Sequence, residues 1–132
     1  MIMKGNKYGF MSNMYGYGMK WEGEIYSCSE TVYQMMKCER EEDKVKFKKL
    51  NGFEAKRLGR RIKMRSNWNE IKVDMMREIL KAKFKDENLM RRLKDIDEEI
   101  VEDNYWNDRY WGVCRGVGKN MLGKLLTEIK EG

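Results

Sequence analysis

Two carboxylates stand where they could do chemistry. Glu30 follows Ser29 at the predicted start of a helix, among Tyr and Met neighbours. Asp108 lies between Trp106 and Trp111 in a glycine-rich stretch. A pair of carboxylates can support hydrolysis of a glycosidic bond, one handling a proton or a water while the other stabilises an oxocarbenium-like sugar. Each also has a plainer reading. A glutamate in a first helical turn is favoured by the helix dipole, and an aspartate in a loop can close an Asx turn. The chain has no histidine, which removes histidine-based triads, Cys–His pairs and most zinc sites. Carboxylates are then the natural acid–base groups. The three cysteines, Cys28, Cys38 and Cys114, have no CxxC spacing. They fit neither a disulfide framework nor a four-cysteine metal site, so no metal is expected.

The run Gly112-Val113-Cys114-Arg115-Gly116-Val117-Gly118-Lys119-Asn120 leads into a predicted helix. Glycines allow close backbone approach, and a helix N-terminus favours an anion. A Walker A loop would need glycine in place of Val113 and Ser or Thr in place of Asn120, and Met121 stands where a dinucleotide fingerprint needs its third glycine. The segment is either a phosphate cradle or a tight turn that needs positive φ. Trp21, Trp68, Trp106 and Trp111 are candidates for the core. Trp68, behind Ser66-Asn67 at a helix entrance, could also stack on a base.

The elements that must position these residues are mostly helical. Met19–Tyr26 reads as a hairpin turning at Glu22-Gly23. Ser29 is the expected N-cap of a helix with Val32, Tyr33, Met35 and Met36, which runs into a charged helix stopped by Asn51-Gly52. A short helix is predicted around Phe53–Ile62. A longer one after Asn67 carries Ile71, Met75, Ile79, Leu80 and Phe84 at helical spacing. Asp86 and Asn120 are expected caps of two more, and Ile100-Val101 is a strand candidate. With 132 residues the reading is a single α+β domain over the whole chain, mostly α-helical with a small β element. No apolar run is long enough for a membrane span, and the N-terminal Met1–Gly5 is too quickly polar for a signal peptide. A cytoplasmic protein is expected. Net charge is +6, but residues 44–92 hold 17 basic and 6 acidic side chains. Such a block is either solvated helix surface or an attractor of phosphate or nucleic acid.

Several motifs in order make the chain resemble the NADAR family, the YbiA-like N-glycosidases, from about Gly9 to Lys130. The motifs begin with Gly9-Phe10-Met11-Ser12-Asn13-Met14-Tyr15 and Ser29-Glu30-Thr31-Val32-Tyr33-Gln34-Met35-Met36-Lys37. Ala55-Lys56-Arg57-Leu58-Gly59-Arg60, Arg65-Ser66-Asn67-Trp68 and Lys81-Ala82-Lys83-Phe84 follow. The last block runs through Asn107-Asp108, Tyr110-Trp111-Gly112 and Gly116 to Leu126. Thr31, Cys28 and Cys38 depart from the family pattern.

The resemblance implies an enzyme that hydrolyses the N-glycosidic bond of a phosphorylated ribosyl compound without metal or cofactor. It implies Glu30, Asp108, Trp68 and Trp111 as the catalytic set. It implies Asn13, Lys56, Arg60, Gly116, Gly118, Lys119 and Asn120 as substrate-binding residues. The leading expectation is removal of ADP-ribose from modified guanine, in nucleic acid or free nucleotide. A second is cleavage of ribosylamino-pyrimidine intermediates of riboflavin synthesis, and a third is a non-catalytic module that binds ADP-ribose or NAD. Plain nucleic-acid binding is the fourth, without a recognisable stacking platform behind it.

Overall fold

The structure, a computed structural model, describes residues 8–132. Met1–Gly5, read above for a leader, lies outside the described residues. The chain divides into two compact units, one of Asn13–Lys83 and one of the flanking segments up to Ser12 and from Phe84 onward.

The unit 13–83 opens with the expected hairpin. Strands β1 (Met19–Trp21) and β2 (Glu24–Tyr26) pair antiparallel with Lys20 opposite Ile25. Glu22 and Gly23 both take positive φ, 49° and 80°, as a two-residue primed turn requires. Helix α1 (Ser29–Met36) follows. The charged helix is shorter than expected, α2 (Glu41–Lys44) plus a 3₁₀ turn at Val45–Phe47. Asn51 does more than stop a helix. Its side chain accepts from the Glu54 amide while the Glu54 carboxylate accepts from the Asn51 amide, both at 2.9 Å. That capping box starts α3 (Gly52–Gly59). Helix α4 (Trp68–Lys83) is the longest. Its apolar stripe of Met76, Ile79 and Leu80 is buried, as are Met19, Val32, Phe47 and Ala55.

In the second unit, Asp86 caps α5 (Glu87–Lys94) through its carboxylate on the Leu89 amide at 3.0 Å. Strands β3 (Asp103–Asn104) and β4 (Val113–Cys114) pair in parallel, so the strand falls just after Ile100-Val101. Ile100 is buried instead as a core residue. Helix α6 (Met121–Glu131) contributes Leu122, Leu125, Leu126 and Ile129 to a core with Leu89, Leu93 and Ile96. Phe10 packs edge-on against Phe84, and the Arg92 guanidinium lies 4.3 Å from its ring centroid. The architecture is α+β, with six helices and two small sheets among the described residues. No helix of the described residues is long and apolar enough to cross a membrane.

Candidate active site

Asn13 organises the start of α1. Its carbonyl accepts the Glu30 amide at 2.9 Å, and the Ser29 hydroxyl donates to its Oδ1 at 2.9 Å. Asn13 Nδ2 donates to Met76 Sδ at 3.7 Å, which fixes the side chain to α4. Ser29 is therefore not the N-cap. Cys28 holds that position, and its thiol pairs with the Thr31 hydroxyl at 3.4 Å instead of capping a helix amide. The acceptor that a cap would supply comes from Asn13, and this is how the Phe-Met-Ser-Asn stretch serves Glu30.

Glu30, half-buried in the first turn, is anchored one turn later: Gln34 Nε2 donates to Glu30 Oε2 at 2.7 Å. Lys37 lies on the same side of the helix. Burial lowers its amine below the usual lysine value, Glu30 pulls it back up, and Arg60 lowers it further. Glu30 and Arg60 thus both act electrostatically on one ammonium.

Helix α3 reaches α1 along Gly52, Ala55 and Gly59, which share a face at i, i+3 and i+7 and are all buried. A Cβ on Gly52 would stand 3.0 Å from Cys28 Sγ and 3.4 Å from Glu30 Cβ, and one on Gly59 would overlap the Gln34 carboxamide. The Ala55–Arg60 motif therefore has two duties. Its small residues admit the Glu30 helix, and Arg57 and Arg60 remain exposed with Lys56 half-buried. Among the described residues, Lys56, Arg57, Arg60 and Arg61 have no ion-pair partner. Nearby Lys44, Lys46 and Lys48 are all paired, with Glu41, Asp43 and Glu24.

Trp68 opens α4 and is only 3% exposed, its ring 5.1 Å from that of Tyr33 on α1. It backs the face of α1 and is not an open stacking surface. Lys83, which the sequence showed only as part of a helix-end motif, closes the same helix. It is 1% exposed, with its amine 5.8 Å from the Tyr15 ring centroid. Burial pushes that amine down to about 7, with Cys28 pulling it upward. An amine that sheds its proton near neutrality can accept a proton or attack an electrophile. The signal was in the sequence: Lys83 continues the apolar stripe of Met76, Ile79 and Leu80 at helical spacing.

In the other unit, Asp108 closes a tight loop. Its Oδ1 accepts the amides of Tyr110 and Trp111 at 3.1 and 3.0 Å. Asn104, buried on β3, accepts the Asp108 amide and donates to its carbonyl. Among the described residues Asp108 Oδ2 accepts no hydrogen bond. Trp111 is half-buried, edge-on to Tyr110, whose ring also faces the Lys119 ammonium at 5.6 Å.

The glycine-rich turn is built largely on itself. The amides of Lys119, Asn120, Met121 and Leu122 donate to the carbonyls of Arg109, Gly112, Tyr110 and Trp111, so the start of α6 is already occupied. Asn120 sits in the left-handed region, φ 52°. Its side chain joins the Glu102 amide to the Ile100 carbonyl, at 2.9 Å each. Gly116 and Gly118 take φ of 78° and 155°, and a Cβ on Gly118 would run into the Gly112 carbonyl. The amides of Gly116 and Gly118 and the Lys119 side chain remain for an anion; no acceptor engages those two amides among the described residues. Glu30 and Asp108 belong to different units. Asn13, Lys56, Arg60, Trp68 and Lys83 are in the unit of Glu30, and Trp111 and the glycine-rich turn in that of Asp108.

The sequence profile described as "NADAR domain" matches residues 2–132. The chain is 35% identical over 130 residues to N-glycosidase YbiA of Escherichia coli (strain K12), covering 94% of this chain and 81% of that protein. It is 29% identical over 130 residues to the "Riboflavin biosynthesis protein VVA0006" of Vibrio vulnificus (strain YJ016), covering 94% of this chain and 35% of that one. The NMR structure of E. coli YbiA superposes with a TM-score of 0.86 at 33% identity, covering 96% of this chain and 78% of that chain. The chain belongs to the NADAR domain family, and with it to the hydrolases that act on N-glycosyl bonds.

Proposed function

We propose that the enzyme removes ADP-ribose from modified guanine, in nucleic acid or free nucleotide, with Glu30 stabilising the ribosyl cation or activating the water. The observation that carries the reading is Glu30, oriented by Asn13 and Gln34, with Lys37 in its electrostatic reach and Arg60 acting in turn on Lys37. Breaking a ribosyl C–N bond leaves positive charge on the sugar, which a preorganised carboxylate stabilises. Water adds to the anomeric carbon, one of its protons is released, and the departing nitrogen takes up a proton. Cations on and after α3 that have no ion-pair partner among the described residues suit the pyrophosphate, Lys56 and Arg60 first among them. Asp108, Trp68 and Trp111 are assigned to the same reaction as part of this proposal. For Asp108 the free Oδ2 supports it, and for Trp111 the support is an edge-on ring held half-open by the Asp108 turn.

The second reading keeps the chemistry and changes the leaving group to an amino-pyrimidine of riboflavin synthesis. The name of the Vibrio relative favours it. The excess of unpaired cations over what a single phosphate needs favours the first. Mass spectrometry of products from an ADP-ribosylated guanine oligonucleotide and from a ribosylamino-pyrimidine phosphate separates the two. ADP-ribose released from the oligonucleotide, with KM rising steeply as salt increases, upholds the first. Turnover of the small phosphate alone selects the second. Tight ADP-ribose binding with no product from either would mean a binding module.

A further inference from the structure

We infer that Gln34 is a positioning residue whose carboxamide, seated on the bare backbone of Gly59, holds Glu30 as an ionised carboxylate in one orientation. This rests on the reading of Glu30 given above.

Gln34 is 6% exposed. A buried carboxamide ordinarily pairs both its ends. Here Nε2 donates to Glu30 Oε2 at 2.7 Å, while Oε1 has no hydrogen-bond partner among the described residues. That asymmetry has a chemical reason. Turning the amide over would set Oε1 against a carboxylate oxygen, two acceptors face to face, which only a proton on Glu30 could relieve. The observed pairing therefore favours the charged form of Glu30, since the NH₂ group donates and the carboxylate can only accept.

The unpaired carbonyl is accommodated by Gly59. A Cβ there would overlap Gln34 Oε1 and Cδ and would stand 3.4 Å from Lys37 Nζ. The backbone of α3 can thus lie directly under the amide and leave it no room to swing away. The one glycine serves two groups, the amide that orients Glu30 and the ammonium that shares its field. A leucine or methionine at position 34 would fill the space without an orphaned carbonyl. The orphan is intelligible if the donated hydrogen bond is what the position is for.

The test compares Gln34→Met, which keeps length and removes the donor, with Gly59→Ala and Glu30→Gln, on whichever substrate the wild type hydrolyses. Circular dichroism and melting confirm folding. We expect Gln34→Met to lower kcat about tenfold or more, the loss of one hydrogen bond to a charged group, with KM within about twofold. The acid limb of its pH–rate profile should move to higher pH. The other charged or titratable groups on or against this helix, Cys28, Tyr33, Lys37, Cys38, Asp43, Arg60 and Lys83, are unchanged in the variant. Gly59→Ala should show the same signature, since it displaces the amide. Wild-type kcat and an unmoved acid limb in folded Gln34→Met, beside an inactive Glu30→Gln, would overturn the inference and leave the reading of Glu30 intact. A fully active Glu30→Gln overturns both. Should Gln34→Met fail to fold, the isosteric Gln34→Glu replaces it. Two carboxylates in hydrogen-bond contact must share a proton, so the acid limb should rise by about a unit or more. An unmoved limb there overturns the inference equally.

Discussion

Replacing Lys83 with Met should make the protein more stable, by an amount that depends on pH in a calculable way. The native amine loses its proton at about 7 because it is buried, against an ordinary value of 10.5. Between those values the unfolded chain holds the extra proton, so stability rises with pH across this window. At about 1.4 kcal/mol per pH unit, a lysine moved from 10.5 to about 7 disfavours folding by about 5 kcal/mol below neutrality, about 3 at pH 8 and about 1 at pH 10. Methionine has similar length and no charge, so it fills the site between Tyr15 and Cys28 without the penalty. Urea unfolding followed by tryptophan fluorescence, at several pH values from 6 to 10, gives the difference between variant and wild type. The difference should be largest at pH 6 and shrink toward zero at pH 10. Equal pH slopes in the two proteins, or a variant destabilised throughout, would refute the argument that the buried ammonium is the unfavourable group.

Two further outcomes follow from the other unit. Asp108→Ala removes the acceptor of two amides in the loop that carries Trp111. It should change the tryptophan emission and lower turnover, while Asp108→Asn, which keeps an acceptor oxygen, should retain the emission of the wild type. Gly118→Ala places a Cβ against the Gly112 carbonyl at a backbone angle that L-residues rarely adopt. It should cost about 2 kcal/mol or more by calorimetric melting; an unchanged Tm would show that the turn is looser than it stands here.

Much of this fold is legible in the sequence, and the exceptions share a cause. The Glu22-Gly23 hairpin, the Asp86 cap and the helix from Trp68 follow from local rules, because each is decided within a few residues. The start of the Glu30 helix is not local. Its acceptor is the carbonyl of Asn13, which is distant in sequence, so Ser29 reads as the cap that it is not. Gln34 reads as an ordinary polar position on a helix, because only packing against Gly59 makes it unusual, whereas Lys83 falls on the apolar stripe of its own helix. The Ala55–Arg60 motif suggested phosphate-binding cations. The part of it that the structure explains most fully is the small-residue face toward Glu30. In sequence, Asp108 and the glycine-rich turn read as either chemistry or scaffold, and their hydrogen bonds make a scaffold of most of their polar groups. Among the described residues, Asp108 Oδ2 and the amides of Gly116 and Gly118 are left without a hydrogen-bond partner.

The central claim is that Glu30 drives cleavage of a ribosyl–nitrogen bond. The direct measurement is product release by mass spectrometry for wild type and Glu30→Gln on the same ADP-ribosylated guanine oligonucleotide, with ADP-ribose affinity measured in parallel. Free ADP-ribose is expected from the wild type, and turnover in the variant should fall by roughly 10²-fold or more with ADP-ribose binding retained. A folded Glu30→Gln enzyme that releases ADP-ribose at the wild-type rate would contradict it.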